Sequence, residues 1–127
     1  MTSKGTKGTI LVTGGAGFIG SHTAVELLAS GYDVVIIDSL VNSNREAVRR
    51  VEQIAGRSVA FHEDDVRDEA ALGRIFDAHP ITAVIHFAAL KAVGESVAKP
   101  IEYYRNNVGS LLVLLDTMRA RNVKRFV

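Results

Sequence analysis

Thr9-Ile10-Leu11-Val12-Thr13-Gly14-Gly15-Ala16-Gly17-Phe18-Ile19-Gly20-Ser21-His22-Thr23-Ala24-Val25-Glu26 decides how the rest of the chain is read. The apolar run Ile10-Leu11-Val12 lies between polar residues and glycines and reads as a buried strand. After Phe18 the spacing becomes helical, with Ile19, Ala24, Leu27 and Leu28 on one side. A strand, a glycine turn and a helix in succession make a cradle for a phosphate. The chain turns sharply, and the first free amides of the helix point outward with the positive end of its dipole. Glycine lets the backbone approach a pyrophosphate and supplies positive φ where the turn needs it.

The spacing is Gly14-x-x-Gly17-x-x-Gly20 rather than the commoner G-x-G-x-x-G. By itself it also fits an ordinary tight strand-to-helix turn. A second feature supports the ligand reading. Val34-Val35-Ile36-Ile37 is a continuous apolar strand ending in Asp38, 18 residues after Gly20. A carboxylate there can accept both hydroxyls of an adenosine ribose and repels a 2′-phosphate, so NAD is expected over NADP. A P-loop is excluded, because Ser21 and His22 stand where a Lys and a Ser or Thr are required.

Thr13 to His22 resembles the nucleotide loop of the extended short-chain dehydrogenase/reductase family. Two further runs are narrower. His86-Phe87-Ala88-Ala89-Leu90-Lys91-Ala92-Val93-Gly94-Glu95-Ser96 and Pro100-Ile101-Glu102-Tyr103-Tyr104-Arg105-Asn106-Asn107 resemble the UDP-glucose 4-epimerases within it. The resemblance covers the chain after its first eight residues. It implies the NAD-binding part of an isomerase that interconverts UDP-glucose and UDP-galactose, with hydride passing to and from NAD through a 4-keto sugar. It implies NAD as cofactor, a UDP-sugar as partner of the full-length protein, and a homodimer. The cofactor contacts it implies are Gly14, Gly17, Phe18, Ile19 and Gly20 in the loop, and Asp38, Ser39, Leu40, Asn42 and Ser43 around the ribose. Asp65 and Val66 are implied at the adenine, and Phe87, Ala88, Ala89, Leu90, Lys91 and Asn106 beyond the fourth strand. Asp64 and Ala89 stand where the family often has glycine.

The composition sets the bounds. The chain has 127 residues, 47% of them apolar, enough for one domain with a real core. Net charge is +1 with the signs interspersed, so nothing points to nucleic acid or a membrane surface. There is no cysteine, which removes disulfides, thiolate metal sites and Cys nucleophiles and fits a reducing, cytoplasmic compartment. Residues 1–8 are small and polar, without a signal-peptide core, and are expected to form a flexible lead. No run approaches a membrane span.

In order, the expected elements are a strand over 9–12, a helix over 19–30 stopped by Gly31, and a strand over 33–37. A helix follows over 45–55, capped by Ser43 or Asn44 and ended by Gly56. Then come a strand over 58–62, a helix over 69–78 capped by Asp68, a strand over 82–86, and a helix from Lys99 or Pro100 to Arg121. Ile101, Tyr104, Val108, Leu111, Leu112, Leu115 and Met118 form its expected apolar stripe, with Val113 and Leu114 on a second face. The Asn106–Asn107 pair is unfavourable in mid-helix and suggests a polar task there. Residues 125–127 look like the start of strand five, where the sequence stops. The fold class is α/β: a Rossmann-like doubly wound parallel sheet in three layers α/β/α, order 3-2-1-4, truncated at the start of strand five. Residues 9–127 are then an incomplete NAD-binding domain with the substrate domain absent.

The crevice between strands one and four is the ligand site of such a sheet; Lys91 by itself fits a solvated lysine on the loop, and the resemblance implies that it reaches the phosphates or the nicotinamide ribose. Glu63, Asp64 and Asp65 are adjacent acids without the spacing to complete a metal site. His86 ends a buried strand and reads as a satisfied core residue. His22, His62 and His79 are scattered and receive the same reading. The chemistry implied by the resemblance needs a Ser or Thr and a Tyr-x-x-x-Lys pair. Four residues after Tyr32, Tyr103 and Tyr104 stand Ile36, Asn107 and Val108. No catalytic residue is therefore assigned, and the chain by itself is expected to be catalytically silent. The alternatives are a non-catalytic dinucleotide-binding module, or a sibling nucleotide-sugar dehydratase or reductase.

Overall fold

The computed structural model describes residues 7–41, 43–88 and 98–127. Five parallel strands lie in the order β3-β2-β1-β4-β5: β1 (Thr9–Thr13), β2 (Asp33–Ile37), β3 (Ala60–His62), β4 (Ile81–His86) and β5 (Arg125–Phe126). The helices are α1 (Phe18–Ala29), α2 (Arg45–Ala55), α3 (Glu69–Ala78) and α4 (Pro100–Ala120).

Successive strand residues point to opposite faces, and both faces of this sheet are covered. Ile10, Val12, Val34 and Ile36 pack with Ala24, Leu28, Val48 and Val51 of α1 and α2. Leu11, Val35, Ile37 and Val84 pack with Leu72, Ile75, Phe76, Leu114 and Met118 of α3 and α4. That double burial is why the strands read as unbroken apolar runs, and the arrangement is the doubly wound sheet expected from the sequence.

Local chemistry sets most boundaries. Asn44 accepts from the Glu46 amide at the start of α2, and Asp68 from the Ala71 amide at the start of α3. Gly56, at φ +68°, ends α2 in the left-handed conformation. Ser43 does not cap α2; its hydroxyl is committed to Asp38. β3 starts two residues later than expected. The Val59 amide donates to the Glu52 carboxylate of α2 and is lost to the ladder. Lys7 and Gly8, assigned to the lead from sequence, are tied down: the Lys7 amide donates to Gly31, and Gly8 accepts from Asp33.

α4 corrects the sequence reading most. Of its expected stripe only Met118 is fully buried; the core face is Tyr103, Ser110, Leu114, Thr117 and Met118. Ile101 and Tyr104 are each 70% exposed, and Leu112 and Leu115 are exposed with them. The helix is apolar on two sides, and the sheet covers only one.

His62 and His79, scattered in sequence, meet with their Nε2 atoms 3.1 Å apart. One ring must donate and the other accept, so the contact holds a single proton. Burial, and then the charge of His62, holds the His79 imidazole below its ordinary range. The unfolded chain therefore binds more protons, and stability falls as pH drops below about 6.5. We expect the melting temperature to fall between about pH 7.5 and pH 5.5. The slope should be shallower in His79→Asn; an unchanged slope would remove His79 as its source.

Candidate functional site

Gly14 turns the chain at φ +70°, where a Cβ would also sit 2.9 Å from the Ala88 amide nitrogen. A Cβ on Gly20 would come within contact distance of the Gly14 carbonyl oxygen and lie 2.9 Å from the Gly15 Cα. The first turn of α1 thus lies directly against the loop that precedes it. Gly17 is the N-cap, with extended backbone and no capping side chain, so the opening amides of α1 are left for a ligand.

Asp38, at the end of β2, is only 8% exposed. Its Oδ2 accepts from the Ala16 amide at 3.0 Å, and its Oδ1 from the Leu40 amide at 2.8 Å and the Ser43 hydroxyl at 2.7 Å. One carboxylate ties the glycine loop to the loop after β2. Three donors leave about one of its four lone-pair positions for a further partner. Leu40, at φ +64°, supplies its backbone to this knot and its side chain packs on the α1/α2 core.

Thr13, fully buried, makes the matching tie on the other side. Its Oγ1 accepts from the Phe87 amide at 3.0 Å and the Ala88 amide at 3.1 Å, and lies 2.6 Å from His86 Nδ1. With both lone pairs taken, the hydroxyl proton goes to Nδ1, which makes His86 the Nε2–H tautomer. His86 is hydrogen-bonded as the sequence suggested, but half-buried rather than in the core.

These ties hold open a cavity of about 690 Å³ between the carboxyl ends of β1 and β4, the switch point of the sheet. Gly14, Gly17, Phe18, Ile19 and Gly20 form one wall. Asp38, Ser39 and Ser43 form the second, and Asp65 and Val66 the third. Phe87, Ala88 and Asn106 close it from β4 and α4. Leu40 contributes through Asp38 rather than by lining the cavity. Asn42, Ala89, Leu90 and Lys91 lie outside the described residues.

Five lining residues were not among the cofactor contacts expected from sequence: Val41, Asp64, Arg67, Glu102 and Ser110. Arg67 carried a local signal, a cation two residues after an acid in a cap-type loop. Its Nη2 sits 2.8 Å from Asp65 Oδ2, and its amide donates to Asp65 Oδ1 at 2.8 Å. The Arg67 hydrogen bond holds the Asp65 carboxyl below the usual range, against the effect of burial. Among the described residues no group of three or more His, Cys, Asp or Glu could hold a metal. No described helix is long and apolar enough to cross a membrane.

The sequence family described as GDP-mannose 4,6 dehydratase matches residues 11–127. The UDP-glucose 4-epimerase of Klebsiella pneumoniae is 55% identical over 118 residues, which cover 93% of this chain and 85% of that sequence. The chain belongs to the UDP-glucose 4-epimerase family. The epimerase of Schizosaccharomyces pombe is 56% identical over 121 residues, covering 95% of this chain and 34% of its own length. The Bifidobacterium longum epimerase, solved in complex with NAD+ and UDP, superposes with a TM-score of 0.91 at 59% identity. That match covers 93% of this chain and 35% of the other. The chain spans about a third of the length of most of the curated relatives it matches.

Two substitutions test the geometry of the site. Gly20→Ala should cost about 1–3 kcal/mol, because the methyl meets backbone that cannot swing away. Thr13→Val should cost about 1–3 kcal/mol by removing the acceptor of the Ala88 amide and the hydroxyl beside His86 Nδ1, while the Phe87 amide keeps the backbone carbonyl of position 13. Urea unfolding measures both, and losses below about 0.5 kcal/mol would contradict this account of the packing.

Proposed function

We propose that this chain is the NAD-binding portion of a UDP-glucose 4-epimerase, the part that holds the cofactor while UDP-glucose and UDP-galactose interconvert. One observation carries the reading. Residues expected to hold NAD, from the glycine loop, the loops after β2, β3 and β4, and α4, line one cavity at the switch point of a doubly wound sheet.

The residues fit the group. The uncapped start of α1 offers amides and a positive dipole end to a pyrophosphate, and no side chain of the glycine loop blocks the approach. The remaining acceptor position of Asp38 suits a ribose hydroxyl, and its charge disfavours a 2′-phosphate. Asp65 suits the amine of adenine. Asn106 and the backbone at Phe87 and Ala88 suit the nicotinamide half; Lys91, three positions further along the sequence, is part of the same reading. When bound, NAD supplies the acceptor and donor of hydride for the sugar carbon. The residues of this chain bind and orient. The Ser or Thr and the Tyr-x-x-x-Lys pair that would move the sugar proton are not among them, so this chain alone should bind without turnover.

The reading includes a homodimer for the full-length protein. In support, exposed Ile101, Tyr104 and Leu115 and half-buried Val108 and Leu111 fall at intervals of three and four along α4, as in a helix-packing seam. It also includes a cytoplasmic location, which the cysteine-free sequence fits.

Calorimetry on the purified chain should show binding of NAD and not NADP. Asp38→Asn should weaken NAD by about 1.5–3 kcal/mol, the range for a hydrogen bond to a charged group. A folded wild-type chain that binds neither nucleotide would sink the reading. Unchanged affinity in a folded Asp38→Asn would leave Asp38 only its tie between the loops.

A further inference from the structure

A carboxylate reads a base only if it is held in place, and at Asp65 the structure shows what holds it. Both oxygens of Asp65 are gripped by Arg67. The Arg67 amide donates to Oδ1 at 2.8 Å; Nε lies 3.2 Å from Oδ1 and 3.3 Å from Oδ2; Nη2 reaches Oδ2 at 2.8 Å. The turn beneath is closed by the Asp68 amide, which donates to the Asp65 carbonyl at 2.9 Å. Arg67 and Asp65 both line the large cavity. A second, open hollow of about 600 Å³ at the start of α4 is lined by Lys99, Pro100 and Arg105, and it shares Arg67 and Glu102 with the first. Arg67 and Glu102 therefore stand at the divide between the two. The charge of Glu102 acts on the guanidinium from the α4 side.

We propose that Arg67 is a specificity-determining positioning residue for the base end of the cofactor cavity, fixing Asp65 as an acceptor-only reader that selects a 6-amino purine. The inference rests on the NAD reading above and adds the side chain that enforces it. A guanidinium fork matches the plane of a carboxylate and stays charged at any working pH. The lone pairs it does not use are held in one orientation. An ionised carboxylate can only accept, so it pairs with the exocyclic amine of adenine and repels the 6-oxo group of hypoxanthine. Without Arg67 the carboxylate is free to rotate away from the base edge, and its discrimination between an amine and an oxo group falls with its orientation. Lysine would restore charge without the fork.

The test is calorimetry on the whole chain with two probes, NAD and its deaminated analogue nicotinamide hypoxanthine dinucleotide. The wild type should prefer NAD by about tenfold or more, the scale of one hydrogen bond to a charged group. Arg67→Ala should reduce that preference to within about threefold, and Arg67→Lys should fall between. Asp65→Asn, which presents a donor as well as an acceptor, should also lose the preference. If Arg67 only supports the fold, Arg67→Ala weakens both ligands equally and the ratio stands; that result overturns the proposal while leaving NAD binding intact. A wild type that binds NAD without preferring it also overturns the proposal. A folded wild type that binds neither probe overturns the cofactor reading and this inference with it.

Discussion

The close approach of α1 to its own glycine loop is the constraint on which the rest depends. At Gly20 there is no room for even one methyl group against the Gly14 carbonyl. At Gly14 the turn both needs positive φ and lies against the start of the β4 loop. Because those two positions carry no side chain, α1 starts immediately beyond β1, with its amides open to the crevice. A longer turn would move the first amides of the helix away from the switch point.

Two side chains then hold the crevice in shape. Asp38 gathers donors from the glycine loop and from the loop after β2; Thr13 gathers the amides that leave β4. Each is buried, and each ties ligand-facing backbone to the rigid sheet. The preorganisation carries a constraint. Asp38 cannot be both a free acceptor and a tie, and the part of it left for a ribose is small. The structure thus makes this residue serve the fold and the ligand with the same atoms.

α4 shows how an element can satisfy one core and remain unfinished. Leu114, Thr117 and Met118 seal the sheet, while a second apolar face stays exposed. An exposed seam of this kind marks an interaction surface. Most of the curated relatives that the chain matches are about three times as long as this chain.

The kinds and order of the elements were legible in the sequence because they rest on short-range physics. Apolar runs, helical spacing, the caps at Asn44 and Asp68 and the stop at Gly56 act within a few residues. The glycine loop and the acid at the end of β2 were legible for the same reason, since their chemistry is set by spacing along the chain. Tertiary structure decided the partnerships. Ala16 meets Asp38 across 22 positions, Thr13 meets His86 across 73, and His62 meets His79 across 17. Which face of α4 was buried was also decided there. Both faces are apolar, so periodicity could not choose between them; the sheet, by accepting Leu114 and Met118, did.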